Sequence, residues 1–177
     1  FNVEYIGSKD GIESELIPDS FPEVPYHPIS SGKLRRYFSV KNFTDPFRVG
    51  AGLLQAMQVI RKTKPAAIFS KGGFVSVPVA MAGKILSIPV IIHESDVTPG
   101  LANRIAMPFA NHIFTVFTET LKHVPKEKST CTGSVIRSEL MDGSAAKGRE
   151  ICHFENDLPV LMVMGGSQGS AMINDAI

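Results

Sequence analysis

"AIFSKGGFVSVPVAMAGKIL" (residues 67–86) runs from a short apolar stretch through a glycine pair into a helical pattern. "LPVLMVMGGSQGSAMINDAI" (158–177) repeats that order near the end of the sequence. A continuous apolar strand that feeds a helix is the unit of a parallel sheet with both faces covered. Outward from the first stretch, "AAIFS" (66–70) reads as a strand and "VSVPVAMAGKILS" (75–87) as a helix. Pro78 is tolerated there because it falls in the first turn. "IPVIIH" (88–93) is the next strand, "ESDVTPG" a loop, and "PGLANRIAMPFA" a helix with Pro near its start. "NHIFTVF" (111–117) and "STCTG" (129–133) are further strands with a short helix between them. "DGSAAKGREICHF" reads as a helix capped by Ser or Asp, and "PVLMVM" (159–164) as a fully apolar strand.

The N-terminal part is more broken. "NVEYI" (2–6) reads as a short buried strand and "IESELI" (12–17) as a short helix ended by Pro18. "VPYHPIS" (24–30) is extended at best, because Pro25 and Pro28 exclude a central strand. From Asp45 onward Leu53, Leu54, Met57 and Ile60 recur on one helical face, and "RKTKP" supplies basic residues and a stop. The expected fold class is α/β. Ligands of such sheets bind outside the carboxyl ends of the strands. Lys71-Gly72-Gly73, His93-Glu94 and Gly165-Gly166-Ser167 all fall there.

Composition narrows the function classes. Hydrophobic residues make up 44% of the 177 and charged residues 20%, an ordinary globular mixture. A net charge of +1 gives no polybasic argument for nucleic acid. No apolar run approaches the ~20 residues of a membrane span, and "FNVEYIGSKDG" lacks a signal-peptide pattern. Cys131 and Cys152 fit neither a zinc site nor a redox pair, and read as two free thiols. The five histidines show no metal-ligand spacing, so no metal is expected. A strand and helix at 158–177 bury too little surface to stand alone, so the chain is expected to be a piece of a larger two-domain enzyme.

A glycine pair at a strand-to-helix turn lets backbone N–H groups approach an anion, and the helix N-terminus adds positive partial charge. One pair alone marks a turn needing positive φ; two at the same sheet edge favour phosphate. Neither is a dinucleotide or ATP loop. Ser167 and Gln168 add donors at the second pair, and Ser70, Lys71 and Ser76 flank the first. Glu94 of "HESD" suits a general base or a clamp on a sugar hydroxyl; equally, it suits a cap on the next helix or an ion pair with Arg104. Arg137 of "TGSVIR" suits a bidentate clamp on a carboxylate or phosphate, or a solvated helix start. "SGKLRRYFSVKNFTDPFR" (31–48) interleaves basic and aromatic residues, a pattern shared by anionic-membrane surfaces, single-stranded RNA binders and ordinary loops with core aromatics.

Taken together, "YIGSKDGIE", "ISSGKLRRYF", "FSKGGFVSVP", "IIHESDVTPGLANRIA", "TGSVIR" and "VMGGSQGS" resemble the MurG family of peptidoglycan glycosyltransferases, the undecaprenyl-diphospho-muramoylpentapeptide β-N-acetylglucosaminyltransferases of glycosyltransferase family 28, in their Gram-positive form. The resemblance implies a GT-B fold, two Rossmann-like domains facing each other across a cleft. It implies an acceptor-binding domain at 1–132, lacking its first strand and glycine loop, an interdomain region at 133–157, and the first strand, loop and helix of the donor domain at 158–177. It further implies transfer of N-acetylglucosamine from UDP-N-acetylglucosamine to the C4 hydroxyl of N-acetylmuramic acid in lipid I, with inversion, giving lipid II. The chain on its own is expected to be inactive.

By the same resemblance Glu94 sits where the family places an active-site acid, and is the candidate for the base or for positioning the acceptor. Arg137, Gly166, Ser167 and Gln168 face the donor, and Lys71, Gly72, Gly73, Ser76 and Asn103 face the acceptor diphosphate. Asp96 stands where some members have an Asn that contacts the donor, and Asp cannot donate that bond. "TGSVIR" has Val-Ile where many members have Asn-Pro-Val, which leaves Arg137 in place. No cofactor is implied beyond the substrate UDP-N-acetylglucosamine, and no nucleic acid. The partners implied are lipid I, an anionic membrane surface and other cell-wall or division proteins, at the cytoplasmic side of the cell membrane. Two rival readings are a diacylglycerol glycosyltransferase of the same fold and a non-catalytic diphosphate-lipid-binding domain. A third, RNA binding, is disfavoured by the near-neutral charge.

The implied membrane patch is Lys33, Leu34, Arg35, Arg36, Tyr37 and Phe38. Replacing Arg35 and Arg36 with Glu is expected to weaken sedimentation with anionic vesicles, and unchanged sedimentation would remove the patch from consideration.

Overall fold

The computed structural model describes residues 2–32, 45–156, 158–165 and 171–176, with the backbone alone at 45–47 and 174. The implied membrane patch (33–38) and the donor-side Gly166, Ser167 and Gln168 lie outside the described residues. The chain divides into two compact units, Phe1–Val135 and Ile136–Ile177.

The first unit is an α/β body. Strands β1 (Tyr5–Ser8) and β2 (Tyr26–Ile29) form a two-stranded parallel sheet. Strands β3 (Ile68–Ser70), β4 (Val90–Glu94), β5 (His112–Thr115) and β6 (Ser129–Cys131) form a second sheet, all parallel and in chain order. Helices α1 (Glu13–Ser20), α2 (Asp45–Thr63), α3 (Ser76–Ile85) and α4 (Leu101–Ala106) lie between them in sequence.

Helix α3 is the centre of this packing. Its sequence, SVPVAMAGKI, is apolar on nearly every side, and a helix of that kind must be covered all round. Ala80 joins Val90, Ile92, Ala106 and Ile113 in one cluster. Val79 and Ala82 join Ala56, Ile60 and Ile29 in another. Ile68 of β3 packs against both clusters. The helix comes close to the sheet at Gly83, where an added Cβ would stand 2.6 Å from Val90 Cγ2 and 2.7 Å from Ile68 Cδ1. Pro78, as expected, sits in the first turn, where its missing N–H has no helical partner to lose.

Four local readings are corrected. Helix α1 continues through Pro18 to Ser20: the proline forgoes one bond, to the Ser14 carbonyl, and Phe21 N–H still donates to Ile17 O at 2.8 Å. Leu54 does not share the buried stripe of Leu53, Met57 and Ile60 and is 64% exposed. The four-stranded sheet is not covered throughout, since Phe69 on β3 is 60% exposed. The apolar run 159–164 is in no strand, and its side chains are exposed, Leu161 by 88%. A strand exists only where another backbone edge takes its N–H and C=O groups, and none among the described residues does so here. Val24–Ser30 fares better than expected. Pro28 lies in register with Gly7 of β1, and β2 has no other neighbour among the described residues, a setting where proline is tolerated.

The second unit contains helix α5 (Ala145–Ile151), capped as expected by Ser144, whose Oγ accepts from Lys147 N–H at 3.3 Å. It also contains helix α6 (Ala171–Ala176). Arg149 donates to the carbonyls of Asn156 and Leu158, the latter at 2.8 Å, and ties the segment after α5 back to it.

Two glycines in α2 provide a paired check. A methyl at Gly52 would run into the Ser30 carbonyl, whereas Gly50 faces open space. Gly50→Ala is expected to raise stability by about 0.5–1 kcal/mol through helix propensity. Gly52→Ala is expected to lower it by about 1–3 kcal/mol through overpacking. Thermal melts of the two variants read the opposite signs.

Candidate functional site

β3 and β4 are adjacent and parallel, so the loops at their carboxyl ends lie side by side. The first loop is Lys71-Gly72-Gly73, which leads into α3; the second is Ser95–Gly100, which leads into α4.

In the first loop Gly72 and Gly73 have φ of +99° and +80°, values that strain any residue with a Cβ. Two hydroxyls hold this shape. Ser70 Oγ accepts from Gly72 N–H at 3.2 Å, and Ser76 Oγ donates to Gly73 O at 2.6 Å. The Ser76 hydroxyl proton and the Gly72 N–H are therefore taken up within the loop. The first turn of α3 has no side-chain cap, and among the described residues no acceptor is recorded for the N–H groups of Gly73, Phe74 and Val75. Those donors, together with the positive end of a ten-residue helix, form an anion cradle. Nothing lies within 4 Å of a Cβ added at Gly73, so the cradle is open on that side. Lys71 is exposed beside it.

The second loop is built on Glu94. Its side chain is 3% exposed, and both carboxylate oxygens are engaged. Oε1 accepts from Asp96 N–H at 2.9 Å; Oε2 accepts from Gly100 N–H at 3.1 Å and from Asn103 Nδ2 at 2.8 Å. Asp96 is held from the other side as well, because Thr120 Oγ1 donates to its carbonyl at 3.0 Å. Among the described residues Glu94 makes no ion pair with Arg104. Because a carboxylate only accepts, Asn103 must turn its NH₂ to Glu94. Its Oδ1 is left buried without a partner. Asn103 also backs the glycine loop: a Cβ at Gly72 would stand 3.4 Å from both of its amide heteroatoms. Asn103 is thus the physical link between the two loops.

Adjacent strand residues point to opposite faces, so His93 leaves the sheet on the side away from Glu94. It is 4% exposed, neither ring nitrogen has a partner, and its ring lies 6.2 Å from that of Phe69. Burial, reinforced by the Lys71 ammonium and opposed by Glu94, pulls its pKa below the ordinary 6.5. The imidazole is neutral at pH 7.

Arg137 belongs to the second unit. It is exposed, its carbonyl accepts from Leu140 N–H at 3.2 Å, and its guanidinium has no partner among the described residues. Cys131 and Cys152 are both free. Among the described residues no group of three or more His, Cys, Asp or Glu is placed to hold a metal ion.

The geometry thus brings together Lys71, Gly72, Gly73, Ser76, Glu94 and Asn103 at one sheet edge. The sequence did not disclose that the Ser70 and Ser76 hydroxyls serve the loop itself, nor that the open donors are the backbone groups of Gly73–Val75. The absence of a Ser, Thr, Asp or Asn cap before α3 was the available signal.

Residues 1–115 match the model of the glycosyltransferase family 28 N-terminal domain. Over all 177 residues the chain is 52% identical to a Clostridium botulinum UDP-N-acetylglucosamine–N-acetylmuramyl-(pentapeptide) pyrophosphoryl-undecaprenol N-acetylglucosamine transferase, covering 49% of that protein. It is 56% identical to the protein of the same name from Staphylococcus aureus strain JH9, covering 50%. The chain spans about half the length of the curated relatives it matches. The crystal structure of Acinetobacter baumannii MurG superposes with a TM-score of 0.62 at 25% identity, over 78% of this chain and 38% of that one. A UDP-N-acetylglucosamine 2-epimerase from Rickettsia bellii shares the fold alone, with a TM-score of 0.51 at 15% identity, over 88% of this chain and 49% of that one.

Because His93 is buried neutral, the unfolded chain takes up its proton first as the pH falls. The stability gained from the neutral form is complete above about pH 6.5 and declines below it. Between pH 7.5 and 5.0 the wild-type melting temperature is expected to drop further than that of His93→Leu. Equal drops in the two proteins would contradict a buried neutral imidazole.

Proposed function

The chain belongs to glycosyltransferase family 28, and from that footing we propose that its protein transfers N-acetylglucosamine from UDP-N-acetylglucosamine to the C4 hydroxyl of the N-acetylmuramic acid of lipid I, yielding lipid II. The observation that carries this reading is identity of 52–56% sustained over all 177 residues with proteins whose names state such a transfer. The open N–H cradle at the start of α3 is its physical support, because a diphosphate-linked acceptor needs an anion site on this wall.

In the proposed reaction the C4 oxygen attacks the anomeric carbon from the face opposite the leaving group. The new glycosidic bond forms as the bond to the UDP oxygen breaks, so configuration inverts. UDP leaves with the electron pair, and the C4 hydroxyl gives its proton to a base. Lys71 and the N–H groups of Gly73–Val75 hold the acceptor diphosphate, with Gly72 and Ser76 shaping the loop. Arg137, with Gly166, Ser167 and Gln168, meets the charge on the departing UDP. No metal or cofactor has a step in this scheme; hydrogen-bond donors and cations supply the stabilisation.

The acceptor's lipid tail remains in a bilayer, which places the protein at the cytoplasmic face of the membrane. No helix among the described residues is long and apolar enough to cross one. Association is therefore proposed to run through the basic and aromatic stretch at 33–38, on an anionic surface.

The test is a transfer assay on the complete gene product, with labelled UDP-N-acetylglucosamine and a short-tailed lipid I analogue. Labelled disaccharide lipid is expected; labelled diacylglycerol in its place, or no product, overturns the reading. Arg137→Ala is expected to raise KM for UDP-N-acetylglucosamine roughly tenfold, the cost of one charge-assisted bond. Gly73→Ala is expected to raise KM for the lipid I analogue by about as much, because it forces a Cβ into positive φ.

A further inference from the structure

We propose that Glu94 is a positioning residue that locks the two substrate-facing loops together through Asn103, and that it is not the proton acceptor of the transfer. This deepens the glycosyl-transfer reading and rests on it for its kinetic test.

A general base must present a lone pair to the proton it removes. The Glu94 carboxylate already accepts three hydrogen bonds, at 2.8, 2.9 and 3.1 Å, shared over both oxygens. With 3% of its surface exposed, it offers a substrate hydroxyl little approach. All three donors belong to the structure that Glu94 shapes. Asp96 and Gly100 lie near the start and at the end of the loop before α4, and Asn103 lies in the first turn of that helix.

The far side of Asn103 explains what is being positioned. Its amide fills the space beside Gly72, 3.4 Å from where a Cβ there would stand, and the φ of +99° at Gly72 sets the direction of the acceptor loop. Withdrawing the carboxylate would free the Asn103 NH₂ and let the amide rotate, because its buried Oδ1 has no partner to hold it. Both loops would then lose a fixed edge. Thr120, which holds the Asp96 carbonyl, anchors only one point of the second loop and cannot replace the clamp.

The experiment uses the complete gene product with Glu94→Gln, Asn103→Ala and the double variant, and the same short-tailed lipid I analogue. A Gln at 94 turns an NH₂ toward at least one of the present donors, so the clamp opens while size is kept. Each single variant is expected to lower kcat/KM by roughly 10- to 100-fold, mainly through KM for the acceptor. The double variant is expected to fall no more than about threefold below the weaker single, because both changes break one unit. The acid limb of the kcat/KM–pH profile is expected to persist in Glu94→Gln. Multiplying losses in the double variant, or disappearance of the acid limb, would overturn the proposal.

Amide hydrogen exchange, measured without substrate, separates this inference from the activity it rests on. Exchange at Asp96 or at Gly100, whichever amide the new NH₂ faces, is expected to speed up at least tenfold in Glu94→Gln relative to wild type. Unchanged exchange refutes the clamp even if transfer is lost. Should the wild type make no disaccharide lipid, the transfer reading falls and the exchange result still decides the clamp. Melting curves of all variants show whether each is folded.

Discussion

Everything at the carboxyl edge depends on how closely α3 approaches the sheet. The helix has no polar face to turn outward, so it is pressed between the β3–β4 surface and α2. Gly83 permits the contact with Val90 and Ile68 that brings it down. A helix fixed in this way at its far end also fixes where its first turn lies. Core packing thus sets where α3 begins, and the glycine loop, with Gly72 and Gly73 at positive φ, carries the chain from β3 to that point.

The two loops at this edge divide the work by chemistry. The first ties Ser76 into its own turn and leaves backbone donors and Lys71 open, which suits an anion. The second gathers its backbone donors onto a buried carboxylate and leaves little open, which suits rigidity. They come together near Asn103, whose NH₂ donates to Glu94 and whose amide lies 3.4 Å from where a Cβ on Gly72 would stand.

The alternation of strands and helices was legible from apolar runs and glycine pairs, and so was the edge that carries the site. The reason is that a parallel strand buried on its core face must be apolar at Val90 and Ile92 whatever surrounds it. What could not be read depends on partners distant in sequence. The run 159–164 has the composition of a strand, but composition does not supply a neighbouring edge. Leu54 has the spacing of a core residue, but no element among the described residues covers it. Glu94 could be placed at the strand end from sequence; its three donors lie two, six and nine residues on, and only the loop's folded path brings them to it. Pro18 shows the converse, since a short exposed helix can forgo one bond where sequence rules place a stop.

Pro28 has a meaning beyond its own strand. In the β1–β2 pair it stands opposite Gly7, on a strand whose other side has no neighbour among the described residues. A parallel edge of this kind is a template on which a second molecule can stack, unless a missing donor breaks the row. Proline supplies that break without disturbing the ladder to β1. The two-stranded sheet is thereby given a direction of growth: it can be extended beyond β1, but a strand laid against β2 would find a gap at its centre. A single imino acid thus interrupts the row of donors that any strand laid against β2 would need.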